Sequence, residues 1–312
     1  MFIENFLTAS TQVAILYVLV FVGFIADKAG IFTEKAARLC TNLLFYVITT
    51  AKIVESFMLM EFTKETAKGF LAATLGGIVI HVTAIIISSC MFNKSGKDRS
   101  PVFKFGATYG NCGYMSLPLA SAVLGTQGVF YCSAVIMTFQ IFSFTHGIFI
   151  MTKDENGKGK LGIKKILLNP GTIAVIIGLP LFLLKIHLPQ ILDEPVHYLA
   201  SMNTPLAMLV FGTYLAHTDA KSALKQWRIL IVALVKLILI PALCLVIFKL
   251  IGISGALLTA LILSASAPTA NNTVLFAAKY DRDVSLASQT VAVVSFISVI
   301  TMPLFIAIAS SI

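Results

Sequence analysis

Charge is what this sequence has least of. Asp, Glu, Lys and Arg make up 12% of its 312 residues, about half of the roughly one quarter typical of soluble domains. Hydrophobic residues fill 58% of the chain, and its mean hydropathy is +0.93. Together these exclude a water-soluble fold and point to a polytopic membrane protein. The five cysteines, Cys40, Cys90, Cys112, Cys132 and Cys244, lie in or beside apolar runs without CxxC spacing. They read as small hydrophobes, so neither a disulfide framework nor a metal site is expected. No GxxxxGK[ST], HExxH or GxSxG motif occurs, nor a spaced pair of intramembrane aspartates. ATP-driven transport within the chain and intramembrane enzyme chemistry are therefore disfavoured. No cofactor is expected beyond a coupling proton or sodium ion.

The net charge of +9 comes from 23 Lys and Arg against 14 Asp and Glu. These basic residues fall between apolar runs and not on one helix face, so nucleic acid is not an expected partner. The first residues, "MFIENFLTAS", carry no basic n-region and no evident cleavage site, and the first apolar run reads as a retained span.

A membrane-crossing helix needs about 20 apolar residues. Ten runs qualify: 8–26, 37–59, 69–92, 102–124, 127–151, 166–186, 197–217, 227–250, 256–278 and 285–311. The basic residues of their connections alternate. Those following spans 1, 3, 5, 7 and 9 hold seventeen, whereas the opposite side holds only Lys64, Lys68, Lys185 and Lys249. The positive-inside rule puts the rich side in the cytoplasm, hence a multi-pass cell-membrane protein with both termini extracytoplasmic. The connection at 152–165, "TKDENGKGKLGIKK", divides the chain into 1–151 and 166–312. Five spans on each side force opposite orientations, so the expected fold class is an all-α membrane protein of ten transmembrane helices in two inverted five-helix repeats.

Two spans carry helix breakers at matching depth. Span 4 contains "YGNCGYMSLPLA", with Gly110, Asn111, Gly113 and Pro118, and span 9 contains "SASAPTANNTVLFAAKY", with Pro268, Asn271 and Asn272. An offset of about 157 residues, taken from the starts of spans 1 and 6, brings Asn111 opposite Pro268. Glycine relaxes the limits on φ and proline removes a donor. In hydrocarbon the freed backbone groups need partners, from an asparagine carboxamide or from ligand and ions in a cavity. Half-helix N-termini meeting there suit an anion, and carbonyl ends suit a cation. An isolated proline kink is the simpler reading of any one of these residues. Their coincidence in matching spans favours a broken, crossing pair at helices 4 and 9.

With these residues in place the sequence resembles the auxin efflux carrier family, which includes bacterial organic-anion carriers and plant PIN-type carriers. The likeness covers nearly the whole chain, through "NLLFYVITT", "YGNCGYMSLPLA", "LLNPGTIAVIIGLPLFLL", "TPLAMLVFGTYLA" and "SAPTANNTVLFAAKYDRD" in that order. The resemblance implies a scaffold of spans 1, 2, 6 and 7 and a moving transport domain of spans 3–5 and 8–10. It also implies substrate contacts at Asn111, Pro118, Pro268 and Asn271 or Asn272. Two departures stand out: Thr49 and Thr50 replace the proline many relatives carry in span 2. The sole ionisable residue inside span 3 is His81, where plant carriers have an acidic and basic pair.

Few ionisable residues lie deep in the spans. Lys52 and Glu55 are three apart on one face of span 2. They read either as a self-neutralising pair or as an anion-attracting lysine beside a proton- or sodium-accepting carboxylate. Lys236 has no acid in its own span, and reads as structural or as balancing a carboxylate across the bundle. His81 and His146 read as hydrogen-bonded bundle residues or as coupling groups. Gln140, Ser143 and Thr145 make a polar stretch beside His146. The leading expectation is a secondary transporter of small mono- or dicarboxylates working by alternating access. Uniport, an ion channel and a membrane sensor are the alternatives. The expected partners are a small organic anion and membrane lipid, with a homodimer compatible.

Overall fold

A computed structural model describes residues 2–93, 96, 99–152, 170–217 and 226–312. Its helices are α1 Phe2–Lys28, α2 Glu34–Leu43, α3 Thr49–Leu59, α4 Lys64–Phe92, α5 Arg99–Thr108, α6 Leu117–Phe142 and α7 Ile148–Thr152. They continue with α8 Pro170–Leu183, α9 Gln190–Ser201, α10 Asn203–Ala216, α11 Trp227–Leu234, α12 Ile240–Leu250, α13 Gly255–Ala265, α14 Asn272–Lys279 and α15 Val284–Ser311. From residue 153 onward the expected 152–165 connection lies outside the described residues.

Ten spans in an inverted five-plus-five plan, with helices 4 and 9 broken and crossing within it, is not the architecture of this chain. Among the described residues six helical runs are long and apolar enough to cross a membrane: Glu34–Leu59, Lys64–Phe92, Leu117–Thr152, Gln190–Ala216, Trp227–Leu250 and Val284–Ser311. The apolar helices Pro170–Leu183 and Gly255–Ala265 are shorter, at 14 and 11 residues. At 1.5 Å per residue they cover only about 21 and 17 Å, against about 30 Å of hydrocarbon. The expectation fails because hydropathy counts apolar residues whether or not the backbone stays helical. Expected span 4, 102–124, stops being helical after Thr108. Expected span 5, 127–151, is continued back to Leu117 across Gly125, whose φ of 62° and ψ of −149° kink the run.

Local chemistry accounts for the helices that hold. Thr63 opens α4 with a reciprocal cap, its Oγ1 accepting from the Thr66 N–H at 3.1 Å while its own N–H donates to Thr66 Oγ1 at 2.9 Å. Asp283 caps α15 by accepting from the Leu286 N–H at 2.9 Å. Elsewhere π turns interrupt the helical runs at Leu44–Ile48, Cys112–Ser116, Ser143–Gly147 and Val235–Leu239. Each inserts a residue into the helical ladder and redirects the helix beyond it.

Two apolar clusters organise the packing. One joins α1, α3, α6, α8 and α10 through Val20, Phe57, Phe130, Phe182 and Phe211. The Phe57 ring meets those of Phe70 and Phe130 edge-on, each at 5.2 Å. The other joins α4, α5, α11, α12, α13 and α15 through Ile80, Phe103, Val232, Cys244, Ile262 and Val294. Lipid removes most of the hydrophobic drive for helix association, leaving close packing at small residues. Helices α1 and α10 show this most plainly. A Cβ on Gly212 would fall 2.0 Å from the Val20 carbonyl oxygen, and one on Gly23 would fall 2.3 Å from that of Leu209. Both clashes are with backbone, so no rotamer change relieves them. Gly212→Val is expected to lower stability by upwards of about 2 kcal/mol, read as a fall in the melting temperature of the detergent-purified protein. A melting temperature equal to that of the unaltered chain would show that the two helices are free to separate.

Candidate functional site

Helices α5 and α13 both stop inside the apolar body. After α5 the chain runs through Tyr109, Gly110 and Asn111 before the Cys112–Ser116 turn. After α13 it runs through Ser266 to Asn271 before α14. The two interrupted stretches meet as an antiparallel bridge at Gly110 and Thr269. The Asn111 N–H donates to the Pro268 carbonyl at 2.6 Å, and the Ala270 N–H donates to that of Tyr109 at 2.9 Å. Thr269 Oγ1 adds a bond to the Gly106 carbonyl at 2.8 Å. Each break thus supplies partners for backbone groups released by the other, which a hydrocarbon setting demands.

Beside the bridge lies a cavity with about 470 Å³ of empty space including its open mouth. Its polar wall comprises Thr49, Asn111, Gln140, Asn271 and Asn272, with Gly110 among the residues between them. No charged side chain lines it among the described residues. Asn271 and Asn272 open α14 at the cavity and bring the partial positive charge of its N-terminus there, although the Thr273 N–H already donates to the Ala270 carbonyl and the Val274 N–H to that of Asn271, each at 3.0 Å. Two carboxamides nearby are incompletely satisfied. Among the described residues Gln140, 2% exposed, has no donor to its Oε1; Asn203, 1% exposed, donates from Nδ2 to Thr49 Oγ1 at 3.0 Å while its Oδ1 has no donor there either. Buried polar atoms are rarely left so without a functional reason.

The structure brings Asn111, Asn271 and Asn272 together around the cavity and sets Pro268 at the bridge. Pro118 sits in the first turn of α6, where a missing N–H costs nothing, and does not line the cavity. Lys52 and Glu55 stand apart from the cavity wall. Lys52 Nζ donates to Glu55 Oε2 at 2.8 Å, and Glu55 Oε1 meets His197 Nδ1 at 2.7 Å, tying α3 to α9. His81 is buried with Nδ1 2.6 Å from the Gly77 carbonyl, and its ring stacks on Phe142 at 5.3 Å. Tyr109 joins the second histidine to the same place: its hydroxyl donates to the Phe142 carbonyl and lies 2.9 Å from His146 Nδ1.

Sequence reasoning passed over Asn203 and gave Gln140 only as part of a polar stretch. The visible signal was a carboxamide inside an apolar run. That one end would lack a partner depends on tertiary packing. Thr49, noted only as a replacement for proline, holds Asn203 at the cavity edge.

Comparison with known proteins places this arrangement. The family described as Membrane transport protein matches residues 8–306. The chain belongs to that family. An uncharacterized transporter of Methanocaldococcus jannaschii is 24% identical over 303 residues, spanning 94% of this chain and 96% of the relative. A putative malonate transporter of Rhizobium meliloti is 23% identical over 291 residues, covering 91% and 90%. An uncharacterized transporter of Methanothermobacter thermautotrophicus is 21% identical over 314 residues, covering 96% and 98%. The resemblance to auxin-efflux-type carriers therefore holds at the level of a transporter family, and this transporter is a multi-pass membrane protein.

In this transporter the unpartnered Gln140 oxygen generates a test. Gln140→Leu replaces an unsatisfied buried group by an apolar one of similar size, so the protein is expected to gain about 1–2 kcal/mol, read as a rise in melting temperature. A variant less stable than the unaltered chain would show that the Gln140 carboxamide serves packing.

Proposed function

We propose that the chain is a secondary transporter of small organic anions, mono- or dicarboxylates, working by alternating access about the cavity beside the bridge. The observation that carries this reading is a cavity walled by carboxamides and a helix N-terminus. That combination offers several donors to a carboxylate without a fixed acid to repel it. The putative malonate transporter among the relatives supports the same substrate class. Asn111, Asn271 and Asn272 are the proposed carboxylate contacts, and Pro118 and Pro268 hold the interrupted backbone in place for them.

Lys52 stands one helical turn from Thr49 and is proposed to draw the anion towards the cavity. Glu55, His81 and His146 are the proposed groups for proton or sodium coupling. Coupling arises when ion and substrate favour the same conformation. Uniport is the second reading, favoured by a cavity wall that holds no carboxylate among the described residues to bind a cation. The proposed orientation has both termini outside the cell, from the excess of basic residues on the other side.

A thermal-shift screen over lactate, malate and malonate, each with sodium or potassium and at two pH values, tests the reading directly. A bound acid stabilises the native state by RT ln(1 + c/Kd) at free concentration c, so the shift rises with the logarithm of its concentration above Kd. Asn111→Ala is expected to weaken binding by about 10- to 100-fold, the loss of one hydrogen bond to a charged group, while the protein still inserts into membranes. Substrate binding and counterflow in proteoliposomes at the unaltered level would remove Asn111 from the site. Electrical currents without counterflow would replace the carrier by a channel.

A further inference from the structure

The cavity wall carries no charged side chain among the described residues, yet a buried lysine stands beside one of its glycines. Lys236 lies in the π turn between α11 and α12 and is only 1% exposed. Its Nζ donates to the carbonyl of Ala265, the last residue of α13, at 3.3 Å. A Cβ built on Gly110, which lines the cavity, would lie 3.0 Å from the same Nζ. Cys112, two residues further along, also lines the cavity. Lys236 forms no ion pair among the described residues.

A lysine buried beside a carbonyl oxygen with no acidic partner among the described residues is costly to keep charged, and in membrane proteins such groups face a partner or a substrate path. The C-terminus of α13 supplies roughly half a negative charge. That partial charge eases the burial of an ammonium without cancelling its unit charge at the edge of the cavity. Gly110 is the residue that lets it act there, because any side chain would be driven against the ammonium and against the Ala267 carbonyl, 3.1 Å from the same Cβ position.

We propose that Lys236 is the countercharge of the transported anion, acting across Gly110, so that the site loaded with a singly charged carboxylate crosses the membrane electrically neutral. This rests on the carrier reading above in its uniport form, in which no coupling ion travels with the anion, and adds a charge count to it. The empty site returns with one positive charge and the site holding a dicarboxylate dianion carries one negative charge. Net uptake of a monocarboxylate then responds to membrane potential only through the return step, whereas one-for-one exchange of monocarboxylates does not respond at all. Lys236 is in this sense a positioning and selectivity residue, reaching the substrate through space and not through a hydrogen bond.

Exchange in proteoliposomes separates these cases. With equal lactate on both sides, the exchange rate of the unaltered protein is expected to stay the same when a potassium diffusion potential is imposed. Malonate exchange at neutral pH is expected to change with that potential. Lys236→Gln should weaken lactate binding about tenfold, as for the loss of one charge partner, and should make lactate exchange depend on potential. Lys236→Arg should keep it independent. Potential-dependent lactate exchange, or potential-independent malonate exchange, in the unaltered protein overturns the proposal whether or not Lys236→Gln folds. A folded Lys236→Gln protein that binds and exchanges lactate as the unaltered one does, without responding to potential, overturns it equally. Failure of lactate, malate and malonate alike to exchange defeats the carrier reading itself, and the charge count falls with it.

Discussion

Everything at the centre of this protein depends on two backbone hydrogen bonds, Asn111 N–H to Pro268 and Ala270 N–H to Tyr109. In water a chain that stops being helical hands its amides and carbonyls to solvent. Between apolar helices it must find protein partners or lose several kcal/mol for each group. The two interrupted stretches solve this for one another over a single bridged pair, so neither can be rearranged alone. The start of α14 on one side and the carbonyl end of α13 on the other are products of the same interruption.

Close packing around the bridge is what keeps the cavity from being filled. Gly23 and Gly212 let α1 and α10 approach until backbone meets backbone, and Gly178 lets the Phe57 ring lie against α8, with 2.5 Å between its Cδ2 and the position a Cβ would take. The aromatic cluster of Phe57, Phe70, Phe130 and Phe182 then holds α3, α4, α6 and α8 together away from the cavity. Rigid contacts on both sides of a small polar gap give a site whose lining is set by neighbouring helices and not by its own collapse. The Lys52, Glu55 and His197 network belongs to this rigid surround. Both Glu55 oxygens are engaged, one on its own helix and one on α9, which holds the Lys52 ammonium in place outside the cavity wall.

The membrane setting and the transporter class were legible in the sequence because composition and ordered motifs carry them, and neither depends on where a helix ends. Continuous spans were not. The run 102–124 is apolar throughout, yet its backbone leaves the helix after Thr108, and Gly125 interrupts the next helical run in a way no hydropathy window registers. The helix breakers beside Asn111, Asn271 and Asn272 were visible in each run, but their meeting follows from the bridge and not from a repeat. Gln140 and Asn203 could not be singled out, since many carboxamides in membrane helices find partners and only three-dimensional packing shows which lack them. Lys236 was visible as a deep basic residue. Its place beside Gly110 was not, because 126 positions separate the two along the chain and only the meeting of the interrupted stretches joins them.

A cavity lined by uncharged donors suits a carrier better than one lined by charge. A fixed cation in the wall would have to shed and regain water on every empty return, and would hold a carboxylate tightly enough to slow its release. Binding must be favourable enough to capture an anion and weak enough to let it go. Carboxamides and a helix N-terminus meet this condition because their partial charges are preorganised and their desolvation cost is modest. One buried ammonium set behind a glycine adds long-range attraction without a direct contact that must be broken. The carbonyl end of α13, to which Lys236 is bonded, tempers that attraction while the site is empty. The interruption that creates the binding groups therefore also supplies the dipole end that makes a buried lysine tolerable beside them.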